Sequence, residues 1–581
     1  MNAPPDSRRG VRSRTLSVLT LALLASTIPA CSSRSEPSQK DPEPEGVPWF
    51  ADATEAWGIN FTHDPGPLGT YFTPQSMGSG AAAFDFDGDG LLDLYLLHYG
   101  GPKSKSTNRL LRQTSPGKFS DVSDGSGLDV PGYCHGVAIG DINNDGKPDV
   151  LLTMFDGIKL FLNLGGGKFR DATQEAGLVN LCWGMSAAFL DYDRDGWLDL
   201  IVVNYLDFDP SKECWSLTGA RDYCGPRSFP NVASKLFHNL GAQAGQGGCA
   251  KFQDASFESG IGRASAAGLG VVCADFNRDG WVDIFVANDG NPNCLWINKK
   301  NGTFTDEAVS RGVAYTEMGK AYAGMGIGVG DVNNDGLLDL YVTHLGSETN
   351  NLWQQASPGL FADKTGESGL HSLRRRGTGF GALMADFNND GAVDIAVANG
   401  RVFYGGSAKD TGMGFWETYL DKNQLFANDG TGKFGDISSA NKPFCDYWNV
   451  GRGLIAADFD NDGGVDLLVV PLGGQAKAFR NVAPDRGHWL KVKAIDPKRN
   501  RDAYGAEIRV RAGARAYFRV LSPAESYLCS GPAIAHFGLG KHDRIDAIEV
   551  TWPDGDGAKE VFEGGSANRT VTLRRGEGRK P

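Results

Sequence analysis

The sequence lacks the patterns on which most enzyme assignments depend. In 581 residues there is no GxSxG, HExxH or phosphate-binding P-loop pattern, no long helical stretch, and only nine scattered histidines. No group of residues is therefore nominated as catalytic, and an enzyme is not the predicted class. No two cysteines form a CxxC pair, which makes a structural zinc site a poor interpretation.

Positive charge is also in short supply. The chain has 57 Lys and Arg against 70 Asp and Glu, which gives a formal net charge of −13, and no basic stripe alternates with aromatic residues. Nucleic acid is therefore not a predicted partner. The acidity has a local origin, because 24 of the carboxylates stand at fixed positions of one short motif.

That motif has nine residues and occurs seven times. It reads Asp, any residue, Asp or Asn, any residue, Asp, Gly, two residues, Asp. The copies begin at Asp85, Asp141, Asp191, Asp275, Asp331, Asp386 and Asp458. Carboxylates on alternate residues converge when the backbone curls into a tight loop, and the Gly at position six permits the curl. Oxygen clusters of this kind suit a hard cation, so the sequence predicts up to seven Ca²⁺ sites.

The predicted ligands follow the logic of the EF-hand loop in a shorter form: side-chain oxygens at positions one, three, five and nine, and the backbone carbonyl at position seven. Short apolar runs flank each copy, which predicts strand–loop–strand rather than helix–loop–helix. The alternative is a calcium-free turn held by Asp side-chain hydrogen bonds. The ligand residues are Asp85, Asp87, Asp89, Leu91 and Asp93; Asp141, Asn143, Asp145, Lys147 and Asp149; Asp191, Asp193, Asp195, Trp197 and Asp199; Asp275, Asn277, Asp279, Trp281 and Asp283; Asp331, Asn333, Asp335, Leu337 and Asp339; Asp386, Asn388, Asp390, Ala392 and Asp394; and Asp458, Asp460, Asp462, Gly464 and Asp466.

The seven copies do not have the same number of carboxylates. Three copies, those that begin at Asp85, Asp191 and Asp458, have Asp at position three, whereas the other four have Asn there. Ligand charge tunes calcium affinity. Charge count alone therefore predicts tighter calcium binding by the three four-carboxylate copies.

The motif is part of a larger repeat of about fifty residues, with two longer intervals. Each unit also contains a Leu/Phe-rich strand and a Phe-x-Asp element, and a further Phe-x-Asp at Phe50 precedes the first loop. Four short strands per unit at this period are typical of a β-propeller blade. Five units have Gly seven and five residues before the loop, as expected where inner strands crowd around an axis. We therefore predict an all-β protein with a seven-bladed propeller over 48–481.

The first 31 residues have the features of an export signal. A positive segment with Arg8 and Arg9 precedes the apolar run LSVLTLALLASTIPA, which is too short for a spanning helix. Residues 28–31 resemble a bacterial lipobox, so Cys31 is the predicted lipidation site. Pro29 departs from the usual residue, and ordinary cleavage with secretion is the alternative. Residues 32–47, rich in Ser, Pro and Glu, are the predicted disordered tether.

Nine cysteines remain after Cys31, and an oxidising compartment would allow some of them to pair. Cys214 and Cys224 lie together in the interval between the third and fourth loops and are the candidate disulfide. Cys273 precedes a loop directly and is expected to be a buried free thiol. The odd count leaves at least one cysteine unpaired unless the chain dimerises through it.

The last hundred residues change to an alternating apolar and polar β pattern without aspartate loops. His488-Trp489-Leu490, Tyr504-Gly505-Ala506, the HFGLG at 536–540 and the WPDG at 552–555 resemble the ASPIC/UnbV domain. That domain follows VCBS or FG-GAP repeats in bacterial proteins and in cartilage acidic protein. The resemblance implies a propeller related to the integrin α head, with a small ASPIC/UnbV β domain over 482–577.

Three functions are compatible with these features. The first is an exported, lipid-anchored calcium-binding propeller, periplasmic or on the cell surface, that binds a protein or glycan ligand and contacts the membrane through its lipid only. The second is an extracytoplasmic enzyme that uses the central pocket of the propeller. The third is a scaffold for envelope assembly, with the C-terminal domain as its docking module.

Overall fold

Short strands make up most of the regular structure in the computed structural model. It describes residues 46–216, 218–242, 248–371, 376–405, 410–553 and 557–581. The helices among them are short, and none is long and apolar enough to cross a membrane. The all-β prediction is confirmed. The helical segments are Thr73–Ser76, Thr173–Ala176, Pro226–Ser228, Ser256–Ser259, Ile261–Arg263, Ala308–Arg311, Gly414–Tyr419 and Lys442–Cys445.

The repeats form seven antiparallel groups of four strands within the described residues, called here sheets 1 to 7. In chain order their strands are Ala81–Phe84, Asp93–Leu96, Arg109–Ser115 and Lys118–Asp121; Cys134–Gly140, Asp149–Met154, Gly157–Gly165 and Lys168–Asp171; Gly184–Leu190, Asp199–Asn204, Lys235–Asn239 and Phe252–Asp254; Gly268–Ala274, Asp283–Asn288, Cys294–Asn298 and Phe304–Asp306; Ile327–Gly330, Asp339–Val342, Asn351–Ser357 and Leu360–Asp363; Gly379–Ala385, Asp394–Asn399, Gln424–Asn428 and Phe434–Asp436; and Gly451–Ala457, Asp466–Pro471, Lys477–Asn481 and Phe50–Asp52.

Sheet 7 combines the two ends of the repeat region. Phe50–Asp52, from the start of the described chain, pairs antiparallel with Lys477–Asn481 and supplies the fourth strand. Every gap between consecutive sheets holds its own apolar cluster, and this includes the gap between sheet 7 and sheet 1. The sheets are thus arranged around an axis in a circular order.

This arrangement explains why the strands are apolar on both faces. Successive side chains of a strand point to opposite sides. In sheet 7, Leu467 packs in the cluster shared with sheet 6, and Leu468 packs in the cluster shared with sheet 1. A strand between two neighbours needs a continuous apolar run rather than an alternating one.

Glycines allow the first strands to approach one another at the axis. A Cβ on Gly326, directly before the first strand of sheet 5, would lie 1.7 Å from the carbonyl oxygen of Phe380 in sheet 6. A Cβ on Gly453 in sheet 7 would lie 2.6 Å from the oxygen of Ser79, next to sheet 1. The predicted role of the paired glycines is confirmed at these positions, since any side chain would collide with the next strand.

The C-terminal domain is a sandwich of two four-stranded sheets. The strands of one sheet are Arg501–Asp502, His488–Asp496, Ala535–Gly540 and Arg569–Arg574, and those of the other are Arg515–Val520, Glu507–Ala512, Arg544–Thr551 and Lys559–Ser566. Val492, Ile508, Phe537 and Trp552 are fully or almost fully buried between them.

The remaining strands are two-residue segments. Three pairs join Cys214–Trp215 to Arg221–Asp222, Val232–Ala233 to Ser265–Ala266, and Asp421–Lys422 to Trp448–Asn449. A fourth pair, Ala524–Glu525 with Cys529–Ser530, belongs to the C-terminal domain but joins sheet 1 through Ala82. The predicted signal segment, Cys31 and nearly all of the tether lie outside the described residues.

Candidate metal sites

Each nine-residue copy, numbered here as loops 1 to 7 in chain order, connects the first strand of a sheet to the second. In loop 1 the carboxylate of Asp85 accepts the N–H groups of Gly88, Asp89 and Gly90 at 2.8, 3.1 and 2.9 Å. Gly90 has a φ of +89°, which strains any residue with a side chain. The backbone therefore curls around the first carboxylate. The bonds from positions five and six recur in loops 2, 4, 5 and 6.

The aspartate at position nine ties the loop to its sheet. In loop 1, Asp93 is fully buried and accepts the N–H groups of Phe86 at 3.1 Å and of Gln113, on the third strand, at 2.7 Å. The same two bonds occur in all seven loops. This aspartate is thus a structural residue as well as a predicted ligand.

Carboxylate oxygens converge in the three four-carboxylate loops, where atoms from three residues lie within 4.8 Å of one another. In these three groups of predicted ligands, two carboxylate oxygens, Oδ1 of Asp191 and Oδ1 of Asp458, are buried without a hydrogen-bond partner among the described residues. Buried unpaired oxygens of this kind are what a bound cation would satisfy. The groups are Asp85, Asp87 and Asp93; Asp191, Asp193 and Asp195; and Asp458, Asp460 and Asp466.

Burial raises the pKa of many loop carboxyls. The pKa of Asp141 and of Asp386 at position one rises to about 7, chiefly because of desolvation, with nearby carboxylates adding to the shift. At position nine the pKa of Asp93 rises to about 7 and that of Asp339 to about 8 for the same reason. Metal-free loops therefore hold their negative charge at a cost that a divalent cation would offset.

The C-terminal domain covers part of the loop face with basic side chains. The ammonium of Lys491 donates to Oδ2 of Asp458 at 2.7 Å and to Oδ1 of Asn461 at 2.8 Å, both in loop 7. The guanidinium of Arg501 donates to Oδ1 of Asn144 in loop 2 at 2.9 Å and lies 3.6 Å from Asp191 in loop 3. The predicted metal sites are therefore also part of the contact between the two domains.

A segment of the C-terminal domain also fills the propeller axis. Leu528 donates its N–H to Ser186 and accepts that of Val137, while Ser526 exchanges backbone bonds with Ile327. The hydroxyl of Tyr527, which is fully buried, donates to the oxygen of Met77 at 2.9 Å. The central pocket that the enzyme hypothesis requires is closed where this segment crosses the axis.

Among the described residues, two cavities next to this part of the axis are relevant to the site. One, of about 330 Å³, lies between the loop face and the C-terminal domain and includes Arg519, Glu525 and His536. The other, of about 260 Å³, lies at the opposite end of the axis, where Tyr205 donates a 2.6 Å hydrogen bond to Asp289. Desolvation raises the pKa of Asp289 to about 6.

The structure joins Cys214 to Cys224 in a disulfide with an S–S distance of 2.06 Å and a Cα–Cα distance of 5.1 Å. Cys273 is a buried free thiol, as predicted. The disulfide lies in the segment that follows the second strand of sheet 3. That strand ends on the face of the propeller opposite the loops, which is called here the open face. On the open face, the N–H of Tyr404, from the corresponding segment of sheet 6, donates to Asp222 at 2.8 Å.

Comparison with known families agrees with the arrangement of the two domains. Residues 85–152, 141–202, 275–342 and 331–397 match the FG-GAP-like repeat family, and residues 496–580 match the ASPIC and UnbV family. The chain is an FG-GAP-repeat protein with a C-terminal ASPIC/UnbV domain. Both families are repeat or interaction modules rather than enzymes.

This ASPIC/UnbV protein is homologous to cartilage acidic protein 1. It is 26% identical to the mouse protein over 519 residues, which cover 83% of this chain and 71% of that relative. Against the human protein the identity is 24% over 531 residues, with coverages of 86% and 72%.

Solved structures with a similar course of the chain include the BP39L lectin from Burkholderia pseudomallei. It has a TM-score of 0.43 and 11% identity, and the match covers 70% of this chain and 97% of the lectin. BBS1N in its complex with ARL6DN has a TM-score of 0.37 and 10% identity, with coverages of 76% and 98%.

The sequence did not reveal two functional features of this site. The basic residues that approach the loops from the C-terminal domain are distant in the chain, and no local pattern marks Lys491 or Arg501 as a partner of an aspartate. The axial segment, which contains Tyr527 and Leu528, looks in the sequence like one more turn between strands. Only a count of its apolar residues, too many for an exposed turn, could have indicated burial.

Proposed function

We propose that this protein is an exported, calcium-binding interaction protein in which the loops use Ca²⁺ to stabilise the propeller. The observation that carries this proposal is the convergence of carboxylate oxygens in the loops, with buried oxygens of Asp191 and Asp458 that lack a partner among the described residues. All-oxygen donor sets in flexible loops fit Ca²⁺ better than Mg²⁺, which demands a small octahedron and keeps its waters. The loop residues would hold the ion, and the ion would supply the charge that offsets carboxylate repulsion.

A thermal-unfolding series tests the calcium proposal. EDTA should lower the melting temperature, and calcium should restore it better than magnesium at equal concentration. At millimolar calcium, a site with a dissociation constant near 10⁻⁴ M adds about 1 kcal/mol of stability. An identical melting curve in EDTA and in calcium would contradict the proposal.

The proposed location is extracytoplasmic, with a lipid on Cys31 as the only membrane contact. The arginine-rich start and apolar run before Cys31 support export, and the disulfide between Cys214 and Cys224 suits an oxidising compartment. Cys31→Ser should move the protein from the membrane fraction to the soluble exported fraction. If the unaltered protein is already soluble, secretion after ordinary cleavage is the better explanation.

The proposed partner is a protein or glycan that binds the open face, because the C-terminal domain covers part of the loop face. Three aromatic residues of the two contacting segments are exposed there: Trp215 at 62%, Phe403 at 43% and Tyr404 at 45%. Exposed aromatic side chains grouped on one surface are typical of binding sites. This argument favours the hypothesis of a propeller that binds a protein or glycan ligand. The alternative, an envelope scaffold, would use the C-terminal domain for docking.

Affinity capture from envelope extracts tests the partner proposal. The bait is the full chain with calcium, compared with the Trp215→Ser variant. Val309→Ser is the matched control, because Val309 is an exposed apolar residue of the short helix Ala308–Arg311, which follows the last strand of sheet 4. Material retained by the unaltered protein and the control, but lost with Trp215→Ser, would support the open face. Equal retention by all three would contradict it.

A further inference from the structure

One residue of the third strand has the same position relative to the loop in every sheet. It directly precedes the residue whose N–H binds the position-nine aspartate, so its place is fixed by the fold. In sheets 1 to 7 this third-strand residue is Arg112, Leu162, His238, Ile297, Gln354, Ala427 and Arg480. Arg or His occurs only in sheets 1, 3 and 7. These are the three sheets whose loops have Asp at position three.

The basic residues contact the extra carboxylate. In loop 1, Nε of Arg112 lies 2.6 Å from Oδ2 of Asp87, and its Nη2 donates to Oδ2 of Asp89 at 3.0 Å. Loop 7 repeats this geometry: the Nε atom of Arg480 lies 2.5 Å from Asp460, and its Nη2 atom lies 3.0 Å from Asp462.

In loop 3, Nδ1 of His238 lies 3.4 Å from Oδ2 of Asp193 and 3.1 Å from Oδ1 of Asp199. The ring thus bridges positions three and nine, whereas each arginine bridges positions three and five. In all three cases a nitrogen from the same strand position approaches the position-three carboxylate.

In the loops with Asn at position three, a side chain of the loop itself donates a hydrogen bond to the position-five aspartate. Nδ2 of Asn277, Asn333 and Asn388 donates to Oδ2 of the position-five aspartate at 3.2, 3.0 and 2.9 Å. In loop 2 the amide of Asn143 points elsewhere, and Nζ of Lys147 donates to Oδ2 of Asp145 at 3.0 Å. Asp in place of Asn at position three removes this amide donor and adds repulsion between the carboxylates at positions three and five. In loops 1 and 7, Arg112 and Arg480 supply both a donor and a positive charge.

We propose that Arg112 and Arg480 are built-in counter-charges for the position-three aspartates of loops 1 and 7, and that they compete with Ca²⁺ for these carboxylates. The inference rests on the proposed calcium function and specifies how affinity is set at those sites. It replaces the order of calcium affinities that the number of carboxylates per loop predicts. Loops 1 and 7 are not the tightest, because in each of them an arginine competes with the ion for the position-three carboxylate.

The test uses loop 1, whose basic residue can be removed without opening the core. The Arg112 side chain is 44% exposed, and Leu is the residue at the same place in sheet 2. Chelator-competition titration of the full chain gives the number of calcium ions bound and their affinities. In Arg112→Leu, one calcium equivalent should move to about fivefold to tenfold tighter binding, the size expected for a half-exposed charge close to a divalent ion.

Two further variants complete a double-mutant cycle with Arg112→Leu, and a third makes the reverse change in another loop. Asp87→Asn should weaken one site, and the double variant Asp87→Asn with Arg112→Leu should return it to the affinity of the Asn-type loops. In loop 5, Gln354→Arg should weaken one site by about fivefold, because that loop has no extra carboxylate to offset. Arg221, which is 34% exposed and pairs with Glu213 on the open face, supplies the matched control: Arg221→Leu should leave every calcium affinity unchanged.

The outcomes separate this inference from the function on which it rests. If the unaltered protein binds no calcium, the proposed function fails. If it binds calcium and Arg112→Leu leaves every affinity unchanged or weakens one site, the counter-charge is refuted while the calcium function stands. Tightening by Arg112→Leu together with weakening by Gln354→Arg would support the counter-charge.

Discussion

Lys491 links the C-terminal domain to loop 7, and its replacement by methionine should weaken that link strongly in metal-free protein. The ammonium and the Asp458 carboxylate are 8% and 2% exposed and lie 2.7 Å apart. Methionine keeps much of the side-chain volume but leaves Asp458 as a buried charge without its partner. Removing one member of a buried ion pair costs about 3 to 5 kcal/mol, and we expect Lys491→Met to lose about 3 kcal/mol in EDTA. Calcium bound to loop 7 would supply the missing charge, so the loss should shrink in calcium.

Urea denaturation followed by tryptophan fluorescence measures this effect. The chain has 12 tryptophans, so the emission reports unfolding of the whole molecule; one of them, Trp489, has its ring centre 5.3 Å from the ammonium of Lys491. Lys498→Met, on an exposed turn after the same strand, is the matched control and should be neutral within about 0.5 kcal/mol. Equal stability of Lys491→Met and the unaltered protein in EDTA would refute the argument. An equal loss in EDTA and in calcium would show that no calcium reaches loop 7.

Two other predictions concern the axis and the loop carboxyls. Gly326→Ala should cost about 3 kcal/mol, because its Cβ would collide with the oxygen of Phe380, whereas Gly435→Ala, with nothing within 4 Å, should be close to neutral in the same urea assay. Metal-free protein should lose stability as pH rises from about 4 to about 8. The pKa of Asp93 is raised to about 7 and that of Asp339 to about 8, so the folded state keeps protons that the unfolded chain releases near pH 4. Calcium binds the ionised carboxylates and should abolish this decline; a rise of metal-free stability with pH would contradict the assignment.

The sequence alone was sufficient for the repeat, its β character and the family. These features are encoded locally. A loop such as 85–93 contains all its candidate ligands within nine residues, and the Gly at its sixth position already implies the curl. The apolar runs on either side of each loop predict strands, and their position in a circular array explains why both faces are apolar.

Tertiary structure decided the electrostatic surroundings of the loops. Lys491 and Asp458 are 33 residues apart, and Arg501 lies more than 300 residues from Asp191, so no spacing rule brings them together. The same holds for Tyr527, which enters the axis from the C-terminal domain. Contacts between distant segments depend on how whole domains pack, and local propensity carries no information about that packing.

The third-strand residues stand between these two cases. The correspondence between Asp at position three and Arg or His on the third strand is present in the printed sequence, but it is visible only after the strand register has been established. Register determines that Arg112 faces Asp87 rather than the opposite side of the sheet, because a shift of one residue exchanges the two faces. The sequence thus determined which oxygens each loop offers. The tertiary structure decided which positive charges compete for them, because those charges come from other strands and from another domain.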